Sequence, residues 1–93
     1  MKTREFIADV EAQGYTTTQS FFLIKIYREG RTVAQVGTDI MCQIKTDYYA
    51  FDQLTDQEKT ELFNSLTKYA GTPIGEREEE KKLMRSKKNI TQI

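Results

Sequence analysis

The stretch FFLIKIYREGRTVAQV, residues 21–36, decides the fold. It is rich in β-branched and aromatic residues, which favour an extended chain, and it is broken once, at Glu29-Gly30, a pair suited to a two-residue hairpin turn. Two antiparallel strands are therefore expected. With Glu29 and Gly30 as the loop, Ile26 lies opposite Val33 and Ile24 opposite Gln35, so Phe22, Ile24, Ile26 and Val33 share one face. Gln35 falls on that face as well and fits poorly there, while Phe21, Leu23, Tyr27 and Val36 fall on the other. After a turn at Gly37-Thr38-Asp39, a third strand is expected from Ile40 to Tyr48. Either choice of loop residues brings Ile40, Cys42 and Ile44 to the face that holds Val33.

The flanks read as helices. From Thr3 to Gln13, Phe6, Ile7 and Val10 recur at helical spacing, with Thr3 as N-cap and Gly14 as the left-handed residue that ends the helix. Thr16-Thr17-Thr18 reads as a polar loop. Downstream, Thr55 and Glu58 form a capping box ahead of the apolar stripe Leu62, Phe63, Leu66, Tyr69 and Ala70, and Gly71 and Pro73 close this helix of about four turns. Thr72 and Pro73 suit the start of one more helix, in which EREEE lies near the N-terminus and KKLMRSKK near the C-terminus, an order that complements the helix dipole. The expected fold is α+β in the order α-β-β-β-α-α, a three-stranded antiparallel meander packed with helices. Residues 1–72 form one domain, and residues 73–93 a charged helix and tail attached to it.

Composition limits the function. The chain has 93 residues, with Lys plus Arg and Asp plus Glu at 14 each, so its zero net charge gives no global pull towards nucleic acid or an anionic membrane. A chain of this length buries roughly 60–65% of the surface its unfolded form exposes, enough for one modest core. A lone cysteine, Cys42, excludes an internal disulfide, and no apolar run is long enough for a signal peptide or a membrane helix, so a cytoplasmic protein is expected.

Catalysis is disfavoured. The chain contains no His, which removes the commonest general base and metal ligand, and Cys42 is expected to face the core as an inert thiol. The five glycines are scattered among turns and caps and build no phosphate loop. Asp47 and Asp52 flank a turn without metal-binding spacing. No enzyme, cofactor or metal is expected.

The residues left over by the core point to binding. In TDYYAFD, residues 46–52, Tyr48 continues the inward alternation of the third strand and Phe51 packs at the entry of the capped helix, whereas Tyr49 has no such role. Tyrosine beside acids suits a protein interface. Lys81, Lys82, Arg85, Lys87 and Lys88 make the tail locally basic, and Lys81, Arg85 and Lys88 share a helix face that could follow a phosphate backbone. Glu76 and Glu78 to Glu80 oppose that use from a turn or two away.

The run TDYYAFDQL, the helix with LFNSLTKYAGTPI and the charged close EREEEKKLMRSKK resemble small proteins of unassigned function encoded by phages and prophages of Gram-positive bacteria. The resemblance covers about residues 46–88; after Arg85 this chain has SKKNITQI where such proteins carry more aromatic and apolar residues. It implies a genomic setting and supplies no catalytic residues. The leading expectation is a non-enzymatic accessory protein that binds a host or phage protein, through Tyr49, Lys81, Lys82, Arg85 and Lys88. One alternative is a nucleic-acid-binding module that uses the basic helix end, with Phe21 and Tyr27 as stacking platforms. Another is an anti-CRISPR-type inhibitor with an acidic surface of Asp47, Asp52, Asp56, Glu58 and Glu61. A homodimer through the outer sheet face, where Phe21, Leu23, Tyr27 and Val36 gather, is a further option, and no membrane partner is expected.

Overall fold

The computed structural model describes residues 1–77. In chain order the elements are α1 (Thr3–Ala12), β1 (Thr16–Gln19), β2 (Leu23–Arg28), β3 (Arg31–Gly37), β4 (Ile44–Lys45), α2 (Tyr49–Asp52), α3 (Asp56–Ala70) and α4 (Ile74–Arg77). The strands form one antiparallel sheet in the order β1-β2-β3-β4, and α1 and α3 pack together across one face of it. The architecture is α+β, with four strands in place of three. Four of the five residues in the expected binding surface, Lys81, Lys82, Arg85 and Lys88, lie outside the described residues, and the fifth is Tyr49.

The hairpin at the centre forms as its sequence dictates, with one change that re-sorts the core. Arg28 pairs with Arg31, and Glu29 and Gly30 adopt φ of 52° and 78°, the positive values a type I′ turn demands. Beyond Tyr27, however, the register shifts: Tyr27 pairs with Thr32 and Ile26 with Ala34, leaving Val33 as the extra residue of a β-bulge. From there outwards β3 is advanced by one position. Ile24 now faces Val36 instead of Gln35, and Gln35 lies between Lys25 and Lys45 on the opposite face. The bulge thus removes an amide that the regular register would have buried, and brings a valine into its place. Val33, Ala34 and Val36 are all buried.

Three further expectations are corrected. Phe22 was placed in the core by the alternation of β2, but that strand begins only at Leu23; Phe21 and Phe22 form the tip between β1 and β2 and are 89% and 70% exposed. The third strand expected over Ile40–Tyr48 shrinks to Ile44–Lys45, because residues 38–43 form a loop in which Cys42 takes φ of 62° and donates its N–H to the Ala70 carbonyl. Ile40 and Cys42 are consequently exposed, and only Ile44 packs on the core. The Thr16-Thr17-Thr18 segment is an edge strand, β1, paired with β2 through Thr16↔Tyr27 to Gln19↔Ile24.

The helices close the core. Phe6 and Val10 of α1 and Leu62, Leu66, Tyr69 and Ala70 of α3 bury themselves against Ile24, Ile26, Val33, Ala34 and Val36. Each such large side chain contributes about 1.5–3 kcal/mol by leaving water. Thr3 is the first residue of α1 and not its cap, Lys2 holding that position. The buried Thr3 hydroxyl instead meets the Tyr69 hydroxyl at 2.7 Å, while the Tyr69 ring stacks on Phe6 at 4.7 Å. Gly14 follows α1 with φ of 101°, and Thr55 and Glu58 make the capping box of α3 in full.

The largest fully buried side chain is Arg77, 2% exposed. Its guanidinium lies 4.5 Å above the Tyr69 ring and donates to four carbonyls: Thr72 (2.9 Å), Ala70 (2.9 Å), Gly37 (2.9 Å) and Thr38 (3.1 Å). Two of these belong to the end of α3 and its exit, where the helix dipole favours a cation, and two to the end of β3. Replacing Arg77 with Met removes this shared donor in a site closed to water, with the Ala70 carbonyl keeping a bond from the Cys42 N–H, so urea unfolding of Arg77→Met is expected to show a loss of about 2–4 kcal/mol. Arg77→Lys is expected to recover little, since one ammonium cannot span four carbonyls arranged around a planar fork.

Candidate functional site

The end of the sheet formed by the β1–β2 tip and the β3–β4 loop carries a cluster of exposed apolar side chains. Backbone hydrogen bonding builds it. Thr38 donates its N–H to the Phe22 carbonyl at 2.9 Å and its hydroxyl to the Phe21 carbonyl at 3.0 Å, which ties the loop to the tip. Gly37 N–H donates to the Gln43 carbonyl at 2.9 Å and closes the loop at its base. At Gly37 a Cβ would collide with the Gln43 side chain, so glycine permits this close approach. Arg77 fixes the Gly37 and Thr38 carbonyls from the other side.

Phe21, Phe22, Ile40 and Met41 are all exposed at this end, with the two phenylalanine rings 6.3 Å apart. Beside them a cavity of about 360 Å³ opens on the face of the sheet away from the helices. Its walls are apolar at Phe22, Leu23 and Ile40 and polar at Gln35, Asp39, Gln43 and Lys45. An exposed apolar cluster around a concavity, rimmed by a few polar groups, is the usual form of a protein-docking surface.

Two of the lining residues, Gln35 and Lys45, also meet Tyr48. The Tyr48 hydroxyl donates to Gln35 Oε1 at 2.9 Å, and the Lys45 ammonium lies 5.2 Å from the centre of its ring. Tyr48 is therefore half-buried on the outer face and does not enter the core as the strand alternation implied. Phe51 packs against the core as expected, and Tyr49, the first residue of α2, is 73% exposed. The expected outer-face patch is only partly there: Val36 has turned inward with the bulge, Leu23 and Tyr27 are half-buried, and the Tyr27 hydroxyl meets that of Thr18 at 3.1 Å.

The acidic residues disperse. Glu58 forms a 2.6 Å ion pair with Arg28, whose guanidinium also lies over the Tyr15 ring, and Asp52 lies 3.7 Å from Lys59. Asp9 accepts the Ser65 hydroxyl at 2.5 Å, and Ser65 in turn accepts from Gln13, a polar seam between α1 and α3 in which each group has a partner. Among the described residues no group of three or more His, Cys, Asp and Glu stands in metal-holding geometry, and no helix is long and apolar enough to cross a membrane.

Sequence reasoning missed the site because Phe22 and Ile40 were assigned to the core by strand alternation. The available signal was the pairing of two adjacent phenylalanines with the polar segment before them, which suits a hairpin tip as well as a strand interior.

Glu58 also gives the fold an acid-sensitive joint. The Thr55 N–H, donating to Oε1 at 2.8 Å, and then the Arg28 guanidinium hold its carboxyl below the ordinary value of 4.5. Because the charged form is favoured in the folded state, the contribution is complete above that ordinary value and is lost as the pH falls through the lowered one. Glu58→Gln is therefore expected to reduce stability at neutral pH and to flatten the acid limb of a stability–pH curve measured by urea titration; an unchanged acid limb would show that other carboxylates, Glu5 among them, carry it. Comparison of the chain with protein-family models, with curated proteins and with solved structures found no significant match.

Proposed function

We propose that this is a non-enzymatic binding protein that engages a protein partner through the sheet end formed by Phe21, Phe22, Ile40 and Met41. The observation that carries the reading is the placement of these exposed apolar side chains around one cavity, on a loop held rigidly from behind. A short chain gains nothing in stability from four large apolar side chains left in water, and such clusters mark docking surfaces. The likeness of residues 46–88 to phage and prophage proteins supports a host or phage protein as the partner and an accessory role. Tyr49 extends the contact on the neighbouring surface, and the basic tail residues Lys81, Lys82, Arg85 and Lys88 remain part of the proposal.

A second reading has its own observation. Lys25, Gln35 and Lys45 stand in one cross-strand row on the outer face, next to Tyr27 and Tyr48, an arrangement of cations and aromatic rings that suits single-stranded nucleic acid. Its mark is a linear fall of log affinity with log salt.

The test is capture of partners from a Gram-positive host lysate by the tagged full chain and by Phe22→Ser and Ile40→Ser, with and without nuclease. Both positions are exposed, so these variants are expected to keep their stability to within about 0.5 kcal/mol. Loss of a nuclease-resistant protein partner, by about tenfold or more in affinity, supports the reading. Equal capture by wild type and both variants rejects this surface, and capture that vanishes with nuclease transfers the function to the lysine row.

A further inference from the structure

The sheet-end surface is complementary to itself, and we infer that its occupant in the isolated protein is a second copy of this chain. The inference rests on the reading that this surface docks protein. It is supported first by shape. Phe22 is a wall of the cavity, whereas Phe21, its neighbour in the chain, projects beside the cavity with 89% of its surface exposed. The same end of the molecule thus supplies a hollow and a ring to fill one. That is the requirement of a two-fold interface, in which residue i of one protomer meets residue j of its partner and j meets i.

Charge supports it independently. The cavity is lined by one acid, Asp39, and one base, Lys45, and neither is in an ion pair with another described residue. A partner of one predominant sign would satisfy one of them and repel the other. A second copy satisfies both, with Asp39 of each protomer facing Lys45 of the other. Gln35 and Gln43 line the same walls with both donor and acceptor groups, which pair equally well with their own kind. The zero net charge of the chain removes the long-range repulsion that would otherwise keep two copies apart. Each protomer's Phe21 enters the other's cavity beside Phe22 and Ile40, and the two Asp39–Lys45 pairs fix the register.

Sedimentation velocity of the full chain over a range of micromolar concentrations tests this. The expected result is a reversible shift from monomer to dimer mass, weakened about tenfold or more by Phe21→Ser, by Asp39→Lys and by Lys45→Asp. The two charge variants oppose like to like when alone, but mixed together they restore both pairs, so an equimolar mixture is expected to dimerise where each variant does not. All three positions are exposed, and circular dichroism verifies that the variants fold. A monomer at every concentration overturns the inference, as does a dimer that ignores these substitutions or a mixture that stays monomeric. The two readings separate cleanly. Monomeric protein whose partner capture still depends on Phe22 leaves the docking surface standing without the dimer; a dimer with this pattern, together with capture indifferent to Phe22 and Ile40, leaves the dimer standing alone.

Discussion

The guanidinium of Arg77 ties together the end of α3, the end of β3 and the loop that follows β3. Its four carbonyl acceptors come from the end of α3 and from the end of β3, forty residues away, and its flat face rests on Tyr69. Tyr69 passes the connection on, by hydroxyl to Thr3 and by ring to Phe6, so α1, α3, β3 and the loop after β3 converge on one planar cation. A buried charge with no carboxylate bonded to it among the described residues is tolerable because the carbonyls at a helix C-terminus already carry partial negative charge and lack partners within the helix. Arg77 supplies the donors that these carbonyls need, and they supply the field that it needs.

The proposed docking surface depends on this arrangement. Residues 38–43 leave β3 without regular structure, and such a segment would not ordinarily present Ile40 and Met41 at fixed positions. Here the loop is tied at its base by Gly37 and Gln43, at its front by Thr38 to the Phe tip, from beneath by Cys42 to Ala70, and from behind by Arg77. A rigid apolar surface loses less entropy when it is covered than a mobile one does. The left-handed backbone at Cys42 belongs to the same scheme, because it turns the loop back towards α3.

The strongest local patterns in the sequence were sound. The Thr55–Glu58 capping box and the Glu29-Gly30 turn rest on contacts within a few residues and formed as read, whereas the stripe along α3 formed at Leu62, Leu66, Tyr69 and Ala70 but leaves Phe63 45% exposed. What was not legible depended on distant partners. The bulge at Val33 is announced only by the poor fit of Gln35, and one inserted residue was enough to move Val36 inward and Gln35 outward. The threonine run looked like a loop because it lacks apolar residues, yet an edge strand with three of its four residues exposed needs none. Ile40 and Cys42 alternate as core residues would, but Cys42 turns to meet a carbonyl that only the folded α3 provides. Arg77 was read as one more charge in a solvated run, because nothing near it in the chain indicates the carbonyls that enclose it.

That last point extends beyond this chain. Every polar contact made by Arg77 is to backbone oxygen, so the side chains at positions 37, 38, 70 and 72 do not determine whether those bonds form. Substitutions there need no compensating change at 77, and a change at 77 cannot be compensated by any side chain there. A residue on which several elements depend would therefore be coupled, in an analysis of paired substitutions, to Tyr69 beneath its flat face and to none of the four positions it bonds.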